Sequence, residues 1–434
     1  MDFTRSRQAE ARLRQLVPGG SHTYAKGRDQ FPHESPGVIV RGSGCHAWDA
    51  DGNEFIEYGM GLRAVTLGHA YPAVVEAVRA SLTLGTNFSR PSLMELECAE
   101  SFLSVVTGAE MVKFTKDGST ADSAALKLAR KHTGRDLVAI CAEHPFLSYD
   151  DWFICTTTMD GGIPEVERSL TVRFGYNDLD SAARLFAEHP GRIAALFLEP
   201  ARTVEPAPGF LQGLRDLCTK HGAVLVFDEM ITGFRWHLGG AQARYGVTPD
   251  LSTFGKAMAN GFALSALCGN RELMRLGSRE RPEDDVFLLS TTHGAETTGL
   301  AAAIKTMAIY RSEPVIEHLH RQGTALANGF RELTARHGLS DFVTLSGPPP
   351  NLLFGTLGPD KRPSQAFRTL FLQETIRRGV IMPSLVVSYS HQDEDVEKTL
   401  SAVDGALAVY ARALEQGVEG LLVGPPSRTV FDRR

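Results

Sequence analysis

The sequence predicts an α/β protein, with a mainly parallel sheet in a large central domain and a smaller α+β domain built from the N- and C-terminal segments. Three observations carry this prediction. From about residue 92 to 310, apolar runs of strand length alternate with helical stretches, the pattern of a parallel sheet covered by helices on both faces. Several of these runs, IAALFLEP and AVLVFDE among them, are unbroken until they end in a carboxylate, which marks buried strands whose tips reach the edge where open sheets keep their ligands. Outside this span the pattern changes to hairpin-like strands and long helices. The predicted boundaries are an N-terminal segment 1–65, a central domain 66–312 and a C-terminal domain 313–434.

The elements follow in order. Residues 3–16 space Ala, Leu and Arg as a helix does, and Pro18-Gly19-Gly20 should end it. The segment 38–59, VIVRGSGCHAWDADGNEFIEYG, alternates apolar and polar residues about Asp51-Gly52-Asn53, a hairpin signal. Pro72 suits a helix start, and Val74, Val75, Val78 and Leu82 then share one face. Next come a helix at LMELECAESFLSVV, a strand at MVKFT and a helix at STADSAALKLARKHTG. The strands LVAICA, IAALFLEP, AVLVFDE and LSALCG continue the series. A long helix near 313–338, a strand pair at VTLSG and NLLFGTLG, and helices at 364–378 and 393–415 complete the chain, with an irregular tail after Gly417.

Composition narrows the function. With 434 residues, 43% hydrophobic and 22% charged, the chain can bury a large core. A net charge of -6 with scattered Lys and Arg gives no footprint for nucleic acid, so a small-molecule partner is expected. No apolar run reaches the roughly 20 residues of a membrane span, and the N-terminus lacks a signal-peptide core. The six cysteines form no CxxC pair and complete no zinc signature. The expectation is a cytoplasmic protein with reduced thiols, no metal and no membrane partner.

Four groups of residues could carry chemistry. Asp228 is the first polar residue after a buried run, and a buried charge requires a partner. Glu229 beside it and Glu199 at the end of LFLEPA could equally be rim residues. Lys256 stands among apolar residues and glycines, which would desolvate its ammonium and favour the nucleophilic amine. Lys116-Asp117-Gly118-Ser119-Thr120 opens a helix, where free amides make an anion site, although Asp117 or Ser119 could simply cap that helix. Thr291, Thr292 and His293 form a further polar cluster, of a kind that more often caps a helix than holds a ligand. A phosphate cradle, a carboxylate, a lone lysine and hydroxyl donors together suit pyridoxal phosphate. That cofactor needs a lysine for its aldehyde, a carboxylate for its pyridine nitrogen and a polar pocket for its phosphate.

At these residues the chain resembles the class III (fold type I) pyridoxal-phosphate aminotransferases, and within them the glutamate-1-semialdehyde 2,1-aminomutase-like group. The likeness runs through LVPGG, WDADGNEFIEY, LGHAYP, FTKDGSTADSAALKLARKHTGRD, YNDLD, LFLEP, GFLQGLRDLCTKHGAVLVFDEMITGFR, GGAQARYGVTPDLSTFGKAMANG and SYSHQDEDVEKTL, nearly the whole chain in the family's order. It implies that Lys256 is the Schiff-base lysine and proton shuttle, that Asp228 partners the pyridine nitrogen, and that Met230 backs the ring. Gly118 and Ser119 match the phosphate loop, Glu199 lies near the phenolic edge, and Thr291, with Thr292 as a rival, reaches the phosphate of a second subunit in a homodimer. Glu229 is left as a structural residue.

The chain also departs from the family. EHPFLSYDDWF replaces the aromatic-His-Gly turn over the ring, leaving Phe146 or His144 to stack there. Where the aminomutases carry an arginine for the substrate carboxylate, this chain has Lys26, which lacks the two-pronged grip. Gly61-Leu62-Arg63 replaces Ser-Trp-Gly, and His22, Lys26 and Arg63 are the candidates for substrate recognition. The resemblance implies transfer of an amino group between an amino-acid donor and a carbonyl acceptor (keto acid, aldehyde or sugar-like). The alternatives are an intramolecular aminomutase and, from another class, a non-catalytic pyridoxal-phosphate-binding regulatory dimer.

Overall fold

The computed structural model describes residues 1–144 and 146–431. They fall into two compact units, Pro72–Ile316 and the remainder, so that the N- and C-terminal segments share one unit. The first seam lies at Tyr71 because residues 66–69 are tied into the smaller unit: Thr66 accepts from the Tyr389 amide at 2.7 Å, Leu67 from the Ser390 hydroxyl at 2.7 Å, and His69 bridges Gly44.

In the smaller unit, β1 (Ile39–Ser43), β2 (His46–Asp49) and β3 (Glu54–Glu57) form an antiparallel meander. Its turn closes on Asp49, whose carboxylate takes the amides of Asp51 and Asn53, with Gly52 supplying a φ of 87°. The same turn organises the first helix, Thr4–Leu16. Asp51 accepts from the amides of Arg5 and Ser6, both at 2.8 Å, and so satisfies donors that the first turn leaves open.

The larger unit is built on β4 (Met111–Thr115), β5 (Leu137–Cys141), β6 (Thr171–Phe174), β7 (Ile193–Leu198), β8 (Val224–Asp228), β9 (Leu251–Phe254) and β10 (Ser265–Gly269), in the order β4-β10-β9-β8-β7-β5-β6. β10 runs antiparallel to both neighbours, and every other pair is parallel. β5, β7, β8 and β10 are buried at every position, which explains their uninterrupted apolar sequences. One face packs on the helix Gly118–Thr133 through Ala121, Ala125 and Leu128, and the other on Leu179–Glu188 and Phe210–His221.

The chain then returns to the smaller unit with helices Val315–Arg336, Gln365–Arg377 and Asp393–Gln416 and the antiparallel pair β11 (Val343–Ser346) and β12 (Leu353–Thr356). β13 (Val380–Ile381) lies parallel to β3 and joins the two chain ends in one sheet. No helix among the described residues is long and apolar enough to cross a membrane. All six cysteines are free thiols.

Candidate active site

In the larger unit β4, β5, β7, β8 and β9 all point the same way, and each ends in a residue singled out above or in the loop that carries one. The centre is Asp228, the last residue of β8 and 4% exposed. Its carboxylate takes the Met230 amide at 2.8 Å. Burial pushes its pKa upward, and the nearby Lys256 charge opposes that shift most strongly. Lys256 follows β9 by two residues and is half-buried. It sits at φ 46°, a left-handed conformation that a β-carbon disfavours and that concentrates at functional sites.

The Met230 side chain packs against Gly118 and Gly255. Its sulfur would stand 2.7 Å from a Cβ placed on Gly255 and 3.0 Å from one on Gly118, so a side chain at either glycine would press on Met230. Gly118 opens a 16-residue helix capped by Asp117, which accepts from Thr120 at 2.8 Å. The Gly118 and Ser119 amides are left without an acceptor among the described residues, at the positive end of the helix dipole. Asp117 therefore caps the helix, and the Gly118 and Ser119 amides stay open to an acceptor. The Ser119 hydroxyl also accepts from the Tyr149 amide at 3.1 Å, which ties the 146–150 loop to the cradle.

That loop separates the two aromatic candidates. His144 is buried, its Nδ1 accepting from the Glu199 amide at 3.2 Å, and burial holds its pKa well below the usual range, so the ring is neutral. Phe146 stands 45% exposed, edge-on to Phe153 at 5.9 Å. Glu199, just past β7, is buried beside His144. Thr291 and Thr292 are exposed. Lys116, which opens the same loop as Gly118, forms a 2.8 Å ion pair with Glu296.

Glu229 is a structural anchor. It is fully buried and accepts from the amides of Ala241 at 2.7 Å and Gln242 at 2.8 Å and from the Thr232 hydroxyl, so it holds the start of the helix Gly240–Tyr245. His22, Lys26 and Arg63 belong to the smaller unit. His22 and Lys26 are exposed. Arg63 ends a run of four left-handed residues and donates through Nε to the buried Asn351 at 2.8 Å.

Two features escaped the sequence. Asp122, one helical turn after Gly118, is fully buried and within hydrogen-bond reach of Asp228. In the smaller unit, donor atoms of Cys45, His46 and Asp395 lie within 4.8 Å of one another, the one group of metal-type donors among the described residues. There Asp395 accepts from His46 at 3.1 Å and from the Gln392 amide at 3.0 Å, as part of the cap of the last helix.

The arrangement offers an anion cradle, a buried carboxylate and a lysine at adjoining strand ends, with orphaned polar atoms on His144 Nε2 and Asp122 Oδ2. The model of the family Aminotransferase class-III matches residues 27–144 and 155–346. The chain belongs to the class III aminotransferases. As a member it is a fold type I, pyridoxal-phosphate-dependent enzyme acting on small amino and carbonyl compounds. Among curated proteins it is 34% identical to a glutamate-1-semialdehyde 2,1-aminomutase of Desulforudis audaxviator, over 93% of this chain and 98% of that one. Among solved structures, the FumI protein of Sphingopyxis sp., in its PLP internal aldimine form, superposes with a TM-score of 0.87 at 29% identity, covering 95% of this chain and 98% of that one. An omega-transaminase from Sphaerobacter thermophilus gives 0.84 at 26% identity, over 94% and 98%. The residues of this class III aminotransferase fit the cofactor: a glycine cradle for a phosphate, a buried carboxylate for a ring nitrogen and an amine for an aldehyde.

Proposed function

We propose that the enzyme transfers an amino group from an amino-acid donor to a separate carbonyl acceptor. The observation that carries this reading is the pairing of buried Asp228 with half-buried Lys256 at adjoining strand ends, beside a helix start whose first two amides lack acceptors. When bound, pyridoxal phosphate supplies an aldehyde for the substrate amine and a ring that draws electrons from its α-carbon. Lys256 Nζ would hold the cofactor through that aldehyde and, when free, would carry the proton at the substrate α-carbon. Asp228 would keep the ring nitrogen protonated. Gly118 and Ser119 would bind the phosphate, Met230 would back the ring, Glu199 would stand at its phenolic edge and Phe146 would cover it, since His144 is occupied in anchoring Glu199. Arg63, with Lys26 and His22, recognises the acidic part of the substrate.

Thr291, with Thr292 as its rival, would reach the phosphate held by a second copy. Their exposure supports a homodimer, as does the exposed apolar surface at Leu84, Phe88, Leu93 and Phe287. The six free thiols support a reducing, cytoplasmic compartment. The 34% identity to an aminomutase favours a second reading, an amino shift within one substrate. Stoichiometric half-reactions separate the two. Transfer predicts that an external donor converts all of the bound cofactor to its aminated form and releases free keto acid, whereas an aminomutase releases none. Reconstitution should also give a visible absorption band that Lys256→Ala abolishes, and a variant that kept the band would overturn the reading.

A further inference from the structure

Asp122 is a second buried carboxyl beside Asp228, and its surroundings fix its protonation. The side chain is 0% exposed. Oδ1 accepts the Thr253 hydroxyl at 2.8 Å, and Thr253 lies opposite Asp228 in the β8–β9 register. Oδ2 has no donor. What stands within hydrogen-bond reach is Asp228, itself an acceptor. Two buried carboxylates in contact would each lose hydration and repel the other, so one must carry a proton. The charged groups that act most on Asp122 are Asp228 and Lys256, one acid and one cation.

We infer that Asp122 remains a neutral carboxylic acid at working pH and donates its proton as a hydrogen bond to Asp228, keeping the negative charge on Asp228, where the cofactor nitrogen needs it. Of the two acids Asp122 has no amide donor to offset its burial, whereas Asp228 has the Met230 amide and the stronger influence of Lys256. Burial accordingly drives the Asp122 pKa well above the ordinary carboxylate range. Asp122 is a positioning residue. Its protonation does not depend on the function proposed above, and only its consequence for the cofactor rests on that reading.

The test begins with apoprotein. A group that keeps its proton in the fold and loses it on unfolding gives stability that is present below the unfolded pKa of about 4 and lost as the pH rises toward the folded value. The wild-type melting midpoint should therefore fall as pH increases across this window. Asp122→Asn, which offers an amide N–H in place of the acid O–H, should lose part of that slope and melt above wild type at pH 8. Infrared difference spectra at pH 8 should show a protonated carboxylic-acid band in wild type that is missing in Asp122→Asn. The band should also be missing in Asp228→Asn, whose amide donates to Asp122 and lets it ionise; this second variant keeps the test open if the first fails to fold. In holoenzyme, Asp122→Leu should weaken cofactor binding roughly 10- to 100-fold, as loss of a buried bond to a charged group does, with Asp122→Asn close to wild type. An unchanged band and slope in both Asn variants would overturn the inference. A band that behaves as stated in a protein that takes up no pyridoxal phosphate would leave Asp122 as assigned and overturn the proposed function.

Discussion

The two groups of residues that the proposed function draws on are built by different means. In the larger unit the residues proposed to hold the cofactor stand at the tips of regular strands, with the strained backbone of Lys256 immediately beyond one of them. In the smaller unit Arg63 ends the run Met60, Gly61, Leu62 and Arg63, with φ of 42°, 59°, 58° and 72°, three of them residues whose β-carbon opposes that conformation. The turn persists because Met60 and Val65 pack with Val386, because Val65 donates to Met60 at 3.0 Å, and because Arg63 donates from its amide to Gly59 at 3.0 Å. A strand tip places a charge by the regularity of the sheet. A strained turn places it only through its particular contacts, and it is the more easily altered of the two.

The sharpest way to break the contrast is at the strand tips. Lys256→Ala should abolish the visible band and lower turnover by at least ~10³-fold, read by half-reaction kinetics, because both the attachment and the proton carrier are lost. Asp228→Asn removes the charge but preserves the shape, and should cost roughly 10²- to 10³-fold in kcat while cofactor still binds. At the other end, Arg63→Ala should raise KM for the acidic substrate about 10- to 100-fold with the band unchanged, the size of a lost charge-assisted hydrogen bond. Arg63→Lys should recover only part of this, since an ammonium lacks the planar fork. An Arg63→Ala variant that lost the band instead would show that the turn supports the cofactor and that the contrast is mistaken.

The same contrast decides what could be learned from the sequence. β7 and β8 are evident because burial on both faces demands unbroken apolar residues, and their terminal acids stand out against that background. β9 escapes, since Ser252 and Thr253 interrupt it; their hydroxyls are satisfied by Gln242 and Asp122, partners that no local pattern reveals. β6 is exposed or half-buried at three of its four positions and carries no period. Asp122 had a usable signal: it follows Gly118 by four and precedes the buried Ala125 and Ala129 by three and seven, so the period that predicts the helix also turns it inward. An acid at such a position is ordinarily taken for the solvated face, and only contact with Asp228 shows otherwise. The left-handed turn before Arg63 left a single trace, Gly61.

The smallest effect on rate, and the clearest separation of support from chemistry, is expected at Glu229. It adjoins Asp228 in sequence, yet its carboxylate is committed to the Ala241 and Gln242 amides and the Thr232 hydroxyl. Glu229→Gln must turn an N–H toward a donor, and should cost about 1–3 kcal/mol of stability while leaving the visible band and KM in place. The pH dependence makes this stricter. Burial, opposed by those hydrogen bonds, raises the pKa of Glu229 to about 7. A raised folded pKa means that the acid contributes stability below its unfolded value near 4.5, and that this contribution is lost as pH rises through 7. Glutamine does not titrate, so the stability gap between wild type and variant should be widest near pH 5 and narrow above pH 7. Urea unfolding of the holoenzyme at both pH values measures it. A gap that widened with pH would mean that Glu229 is held as a carboxylate by a cation, and would move it from the scaffold of the strand tip into the charge balance of the site.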